Sequence, residues 1–273
     1  MLDRKQPKIT SSGLIDGTSY SIRGSGPPLI LIHGLGMHKH MWLWQIPDLA
    51  NSFTIVTYDI LGHGASKSPE ENCSLSEFVA QLHSLISGLN LQQVSVVGFS
   101  LGGMIARAYV LKYPQNIKTL AILHSAHDRT QEERDAILLR VNQSFEAGPS
   151  ATVNDAINRW FSPNFQHNNP DIMNFVKDAI LANDSNIYHI IYRVLAIADI
   201  ELSNQIDQIA CPTLVMTGDK DNGNSPDMAR RMAQLIPNAT IVILKGMRHM
   251  AMIEDPDAFN SHLLKFLKKY YDN

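Results

Sequence analysis

The residues at positions 98–102, Gly-Phe-Ser-Leu-Gly, constrain the fold of this chain more than any other feature. They follow a short β-type run, 94–97, and precede a helical pattern over 103–112. A strand that turns directly into a helix needs glycines around the turn, because larger side chains would collide there. The pattern therefore predicts a sharp strand–turn–helix that presents the hydroxyl of Ser100 at the end of a strand.

Apolar runs and helical patterns alternate on both sides of this turn. The run Leu-Ile-Leu-Ile at 29–32 is continuously apolar, which is typical of a strand buried on both faces of a parallel sheet. An Asp-Gly pair at 16–17 predicts the turn of a β-hairpin over 8–22. The remaining predicted strands are 54–59, 117–123, 213–217 and 240–244, and helices are predicted over 42–50, 74–89, 227–235 and 256–270. This alternation predicts an α/β fold with a mostly parallel, doubly wound sheet.

The interval 128–202 contains no run that resembles a buried strand. Its helical stretches are 132–145, 152–160, 171–183 and 186–198. Since about 75 residues without a strand is long for one crossover, we interpret the interval as a helical insertion. Additional helices of the main layer remain the alternative. The predicted organisation is a core formed by 1–126 and 203–273, with helices over 127–202.

Composition excludes several other classes of protein. The chain has 273 residues and a net charge of −3, and no basic cluster predicts a nucleic-acid partner. Cys73 and Cys211 form no metal-binding or disulfide pattern. The first seven residues lack the apolar stretch of a secretion signal, and no apolar run approaches the ~20 residues of a membrane span. We therefore expect a cytoplasmic protein without a membrane partner; monomer and homodimer are both left open.

A serine hydroxyl becomes a nucleophile only when a base accepts its proton and a third group orients that base. Such groups should follow the carboxyl ends of later parallel strands, the acid first and the histidine second. His249 follows the strand predicted at 240–244 and is the candidate base. Asp221, Asp219 and, more distantly, Asp128 are the candidate acids; Asp221 is favoured, and Asp219 is expected to cap the loop.

A substrate carbonyl that accumulates negative charge needs N–H donors that are already in position. The backbone N–H of Leu101, directly after the serine, should be one donor. The loop that begins with His33 and Gly34 follows the first buried strand, so we expect the second donor to be the N–H of Leu35. A plain tight turn is the alternative interpretation of this loop.

Five runs together resemble the α/β-hydrolase fold family over most of the chain. They are HGLG at 33–36, YDILGHGAS at 58–66, GFSLGG at 98–103, GDKDNGNSP at 218–226 and GMRHM at 246–250. The resemblance favours Asp221 as the acid and implies that the insertion is a helical cap over a pocket. Two shorter runs, LGMHKHMWLWQIP at 35–47 and RWFSPNF at 159–165, resemble 3-oxoadipate enol-lactonases and small carboxylesterases. Leu61 departs from the arginine that many relatives carry before GHG.

The resulting hypothesis is a serine hydrolase that cleaves a small carboxylic ester or lactone through an acyl-enzyme on Ser100. Hydrolysis of a carbon–carbon bond and perhydrolysis use the same three residues and remain alternatives, as does a non-catalytic small-molecule receptor. No cofactor and no metal are expected, because this chemistry needs neither. Candidate pocket residues are Trp42, His124, Trp160, Tyr188 and Tyr192. Arg193 is a candidate for a substrate carboxylate, with a surface ion pair as the alternative.

Overall fold

One eight-stranded sheet organises the computed structural model, which describes residues 4–271. The strand order is β1-β2-β4-β3-β5-β6-β7-β8. The strands are β1 (Ile9–Ile15), β2 (Thr18–Arg23), β3 (Pro28–Ile32), β4 (Thr54–Tyr58), β5 (Val94–Phe99), β6 (Ile117–Leu123), β7 (Thr213–Gly218) and β8 (Ala239–Leu244). Strands β3 to β8 run parallel, whereas β1 and β2 are antiparallel. The predicted fold class is therefore confirmed.

Eleven α-helices accompany the sheet within the described residues. They are α1 (Ile46–Leu49), α2 (Leu75–Gly88), α3 (Leu101–Lys112), α4 (Gln131–Ala147), α5 (Val153–Trp160), α6 (Pro163–Asn168), α7 (Pro170–Leu181), α8 (Ser185–Ser203), α9 (Pro226–Leu235), α10 (Ala251–Glu254) and α11 (Pro256–Lys269). Among residues 4–271, none of the helices has the combined length and apolar character that a membrane crossing requires.

The hairpin and the central strands follow directly from local sequence. Asp16 and Gly17 both adopt positive φ, at 47° and 76°, as a tight two-residue turn requires. Residues 29–32 of β3 are completely inaccessible to solvent. Helices cover both faces of such a strand, so every side chain contributes to the core. The parallel strands consequently end at one common edge of the sheet.

The prediction of one helix over 42–50 is wrong. A 3₁₀ helix over Lys39–Trp44 is followed by α1, which is a single turn. Pro47 occupies the first turn of α1, where its missing N–H is not required, but it cannot donate back into a helix that began earlier. The proline therefore divides the segment into two short helices.

Helices α4 to α8 occupy the interval between β6 and β7, and this fully described interval contains no strand. We call these five helices the inserted helices. The four predicted helices are present, but α6 was not predicted. Its signal is Ser162-Pro163, since the Ser162 hydroxyl accepts from the Phe165 N–H at 3.2 Å and proline occupies the first helical position. The division of the chain into a core and a cap domain stays a prediction.

Candidate active site

Ser100 occupies the sharp turn between β5 and α3. Its φ and ψ are 56° and −115°, a conformation that L-residues rarely adopt. The backbone N–H of Ser100 donates to the carbonyl of Leu123 at 2.9 Å, which fixes the turn to the end of β6. A Cβ on Gly98 would lie 2.1 Å from the Gly102 carbonyl oxygen, and one on Gly102 would lie 2.3 Å from that of Ile32. Neither glycine can therefore be replaced without moving backbone.

Asp221 and His249 approach the same edge of the sheet from the loops after β7 and β8. Nδ1 of His249 lies 2.7 Å from Oδ2 of Asp221. Both side chains are buried, and the ring of His249 packs 4.9 Å, between centroids, from that of Phe99. Ser100 and His249 line one cavity. The three predicted residues, far apart in sequence, are thus gathered around one site.

The Asp221 carboxylate accepts further hydrogen bonds from two residues. His124 Nδ1 lies 2.9 Å from Oδ2, and the backbone N–H of Asn224 donates to Oδ1 at 3.1 Å. Burial alone would raise the pKa of the Asp221 carboxyl. The charge of His249 and the hydrogen bonds from both histidines outweigh burial and hold that pKa well below its usual range. Asp221 is therefore ionised at neutral pH.

The two competing acids have other partners. Asp219 Oδ1 accepts from the backbone N–H of Gly246 at 2.7 Å, so it ties the β7 loop to the β8 loop. This is a loop-capping contact of the kind predicted. Asp128 is exposed, and its carboxylate lies 3.8 Å from Arg231 Nε. Of the three candidates, the structure brings Asp221 to His249.

The backbone N–H groups of Leu35 and Leu101 are the predicted donors for a substrate oxygen. Leu101 follows Ser100 directly in sequence, and Leu35 lies near it in the fold. Leu35 lines the cavity with Ser100, and Leu101 is the first residue of α3. Within residues 4–271, neither N–H has a hydrogen-bond acceptor in the protein. An unpaired N–H at a helix start favours a negative charge. Both donors therefore remain available to a bound oxygen.

Two buried histidines hold the loop that carries Leu35. The backbone N–H of Gly36 donates to Nε2 of His63 at 2.9 Å, and that of Ile60 donates to Nε2 of His33 at 3.0 Å. Burial lowers the pKa of His63 to about 4 and that of His33 to about 3. Both rings are consequently neutral near pH 7, and their Nε2 atoms can accept.

The cavity has a volume of about 470 Å³. Trp160, Tyr188 and Tyr192 line it as predicted, and the indole of Trp160 lies 5.7 Å from the His249 ring. Trp42 is completely buried and is not among the lining residues, so its prediction as a pocket wall is wrong. His124 does not line the cavity either, because it lies behind Asp221. No sequence pattern indicated that His124 or Asn224 would bond to Asp221.

His124, Asp221 and His249 are also the one group of metal-type side chains within residues 4–271. Their possible ligand atoms lie within 4.8 Å of one another. Both imidazoles direct Nδ1 at the same carboxylate oxygen, however, so these atoms already form hydrogen bonds. This arrangement orients an imidazole rather than enclosing an ion.

Comparison with known proteins identifies the family of this chain. The model of the α/β-hydrolase fold family matches residues 27–256. The chain belongs to this family. As an α/β hydrolase, it is similar to (E)-2-((N-methylformamido)methylene)succinate hydrolase of Acinetobacter baylyi, at 27% identity over 91% of the chain and 93% of the relative. It is also similar to 3-oxoadipate enol-lactonase 2 of the same organism, at 25% identity over 89% of the chain and 90% of that relative.

A solved structure shows how far the likeness extends in three dimensions. The enol-lactonase from Burkholderia xenovorans superimposes on this α/β hydrolase with a TM-score of 0.87 and 25% identity. The match covers 94% of this chain and 100% of the other. The shared fold therefore includes the inserted helices as well as the sheet, and the predicted family resemblance is confirmed.

Proposed function

We propose that this protein hydrolyses a small carboxylic ester or lactone through an acyl-enzyme on Ser100. One observation carries the proposal: Ser100 and His249 line the same cavity, and His249 Nδ1 is held 2.7 Å from the buried Asp221 carboxylate. An imidazole bound through Nδ1 has Nε2 free to accept a proton. That is the arrangement a serine needs in order to act as a nucleophile.

The reaction follows from the roles that these groups can take. Ser100 Oγ attacks the substrate carbonyl while Nε2 of His249 accepts its proton. The imidazolium is stabilised by the Asp221 carboxylate and then donates its proton to the leaving alkoxide. Water attacks the acyl-enzyme with His249 again as base, which releases the acid and restores Ser100.

The amides of Leu35 and Leu101 complete the site. The carbonyl oxygen becomes negative in each tetrahedral intermediate, and two donors that need not reorganise stabilise that charge. Each such donor typically contributes about 10²–10³ in rate. The neutral His33 and His63 support this role, because they hold the Leu35 loop without adding charge.

The size of the cavity and the names of the relatives support a small substrate. About 470 Å³ accommodates a small molecule, and the inserted helices contribute Trp160, Tyr188 and Tyr192 to its wall. We propose that these helices act as a cap over the site. The similar proteins named (E)-2-((N-methylformamido)methylene)succinate hydrolase and 3-oxoadipate enol-lactonase 2 support cleavage of the substrate by water.

Active-site labelling combined with product analysis tests the proposal. A fluorophosphonate should label the folded protein once, on the peptide that contains Ser100, and should not label the unfolded protein. A panel of esters, lactones, dienoates and peracid-forming mixtures should yield products from esters or lactones first. Labelling of a different residue would contradict the role of Ser100. Turnover of the dienoates alone, or formation of peracid alone, would favour a carbon–carbon bond hydrolase or a perhydrolase. Binding without any product would favour a receptor.

The hydrogen bond between His124 and Asp221 leads to a prediction about catalysis. His124→Phe removes a hydrogen bond to the charged Asp221 carboxylate while an aromatic ring remains beside Phe99 and Phe259. A hydrogen bond to a charged group contributes about 1.5–3 kcal/mol, so we expect kcat to fall about 10- to 100-fold. KM should change little, because His124 does not line the cavity.

Steady-state kinetics on His124→Phe, His124→Asn and His127→Phe provide the measurement. The asparagine retains a donor and should restore part of the rate. His127 is a buried neighbour on the same loop without a bond to Asp221, so its variant controls for packing. Equal rates for the two phenylalanine variants would contradict the role assigned to His124.

A further inference from the structure

The cavity around Ser100 carries an excess of positive charge. Its cationic lining residues are Arg129, Arg140, Arg159, Lys220 and Arg248, whereas its carboxylates are Glu133 and Asp221. Both carboxylates already have partners: Asp221 bonds the two histidines, and Glu133 Oε2 accepts from the backbone N–H of Thr130 at 2.8 Å. The cavity therefore offers positive charge to whatever binds in it.

Two of the arginines use their guanidinium groups to support the protein. Arg129 Nη1 lies 3.0 Å from the Asp199 carboxylate and forms an ion pair with it. Arg248 Nη1 donates to the backbone carbonyls of Asn158 and Phe161, at 2.6 and 3.2 Å. Lys220 is exposed. These cations have structural contacts or face water.

Arg140 on α4 is half-buried, and Arg159 on α5 is exposed like Lys220. The two arginines differ from the other cations because both lie on inserted helices at the cavity and, in the described part of the chain, neither is paired with a carboxylate or a backbone carbonyl. Within residues 4–271, neither guanidinium has a carboxylate within 4.0 Å. Arg140 Nε donates to the Tyr192 hydroxyl at 3.0 Å, which orients the group and leaves both Nη atoms unused. Two guanidinium groups on adjoining inserted helices are thus unpaired at one cavity.

The two charges also act on each other. Partial desolvation of the guanidinium at the cavity is the main cause that lowers the pKa of Arg159, and the nearby charge of Arg140 lowers it further. Repulsion between like charges in a cavity is relieved when an anion binds between them. A carboxylate suits this position, because each of its two oxygens can accept a pair of N–H groups from a planar guanidinium.

We propose that Arg140 and Arg159 form an anion subsite that binds a carboxylate carried by the substrate. This inference rests on the proposed function and names its substrate class: a half-ester of a dicarboxylic acid, or a lactone that bears a carboxylate. The subsite belongs to the inserted helices and Ser100 to the sheet. A substrate that reaches both is positioned by its carboxylate with the scissile carbonyl near Ser100.

Two matched esters test the subsite. The p-nitrophenyl half-ester of glutaric acid carries the carboxylate, and the same ester with a terminal carboxamide is neutral and of equal length. We expect the wild-type protein to have the higher kcat/KM on the half-ester. The double variant Arg140→Gln/Arg159→Gln should lose about 10- to 100-fold on that ester, as expected for charge-assisted hydrogen bonds, and about threefold or less on the amide.

A surface arginine provides the control. Arg193 lies on α8, is exposed and does not line the cavity, so Arg193→Gln removes the same charge from the inserted helices without altering the subsite. Its rates on both esters should match those of the wild-type protein. Equal losses on both esters in the double variant, or an equal loss in Arg193→Gln, would overturn the proposal.

A binding measurement separates this inference from the proposed function. Tm is measured for the Ser100→Ala protein with monomethyl glutarate and with its neutral amide counterpart. The same measurements are made on Ser100→Ala protein that also carries Arg140→Gln/Arg159→Gln. A ligand that binds only the folded state raises Tm. A rise in Tm that occurs only with the anionic ligand and is lost in the arginine variant supports the subsite. This holds even where neither ester is cleaved, and the lack of cleavage would then contradict only the proposed function. No difference between the two ligands overturns the subsite even where both esters are cleaved.

Discussion

Ser100→Ala should lower kcat for ester cleavage by about 10⁶-fold, the loss seen when the serine of a comparable triad is removed. The alanine retains the Cβ and the backbone hydrogen bond to Leu123, so only the nucleophilic oxygen is lost. The polar donors at Leu35 and Leu101 remain, and they account for the slow turnover that should persist. Burst-phase and steady-state kinetics on an activated ester measure the effect.

A serine in β5, the strand that leads to the Ser100 turn, is the control. Ser95 is buried in β5 and bonds the hydroxyls of Thr119 and Tyr271, far along the strand from the turn. Ser95→Ala should leave kcat within a fewfold of the wild-type value, although it removes structural hydrogen bonds. Retention of more than a tenth of the wild-type activity in Ser100→Ala, with Tm unchanged, would show that another group attacks the substrate.

Features that depend on local geometry could be predicted from the sequence. The Asp16-Gly17 turn and the glycines around Ser100 are examples, because each backbone conformation excludes most other residues. The order of the candidate residues along the chain then follows from the parallel sheet. Strands that run parallel end at one edge, so the loops after β7 and β8 had to meet near Ser100.

Packing choices could not be predicted in the same way. Trp42 is apolar wherever it lies, and nothing local distinguishes a core position from a cavity wall; the structure buries it completely. The contact between His124 and Asp221 joins residues 97 apart. It arises because Leu123 pairs with Met216 in the β6–β7 register, which places both loops side by side. The charges of Arg140 and Arg159 indicate a binding site only because α4 and α5 place both residues at one cavity, which no local pattern predicts.

A large loss of stability is expected from a substitution at Asp199, where the inserted helices join the sheet. Asp199, near the end of α8, is completely buried and accepts from Arg129 Nη1 at 3.0 Å and from Arg134 Nη1 at 2.9 Å. The backbone N–H of Arg129 donates to the same carboxylate at 2.9 Å. This one carboxylate therefore connects the last helix of the insertion to the segment that precedes α4.

Asp199→Asn should lower the free energy of unfolding by about 3–5 kcal/mol, because it leaves the buried Arg129 and the half-buried Arg134 without a counter-charge. Urea unfolding at neutral pH, followed by circular dichroism, measures this difference. Asp227→Asn is the matched control, since the Asp227–Arg230 pair, 2.6 Å apart, is exposed at a helix surface. Exposed pairs contribute about 0–1 kcal/mol, so this variant should unfold almost as the wild-type protein does.

The pH dependence provides an independent check of the same carboxylate. Burial would raise the pKa of Asp199, but the hydrogen bonds and charges of Arg134 and Arg129 outweigh it and lower the pKa in the folded state. A depressed pKa contributes stability that is present above the unfolded-state value of about 3.9 and is lost as pH falls through the folded value. The difference between wild-type and Asp199→Asn protein should therefore be largest near neutral pH and shrink in acid. A difference that stays constant across this range would mean that the asparagine disturbs packing rather than charge, and the ion pairs would then contribute little to holding the inserted helices on the sheet.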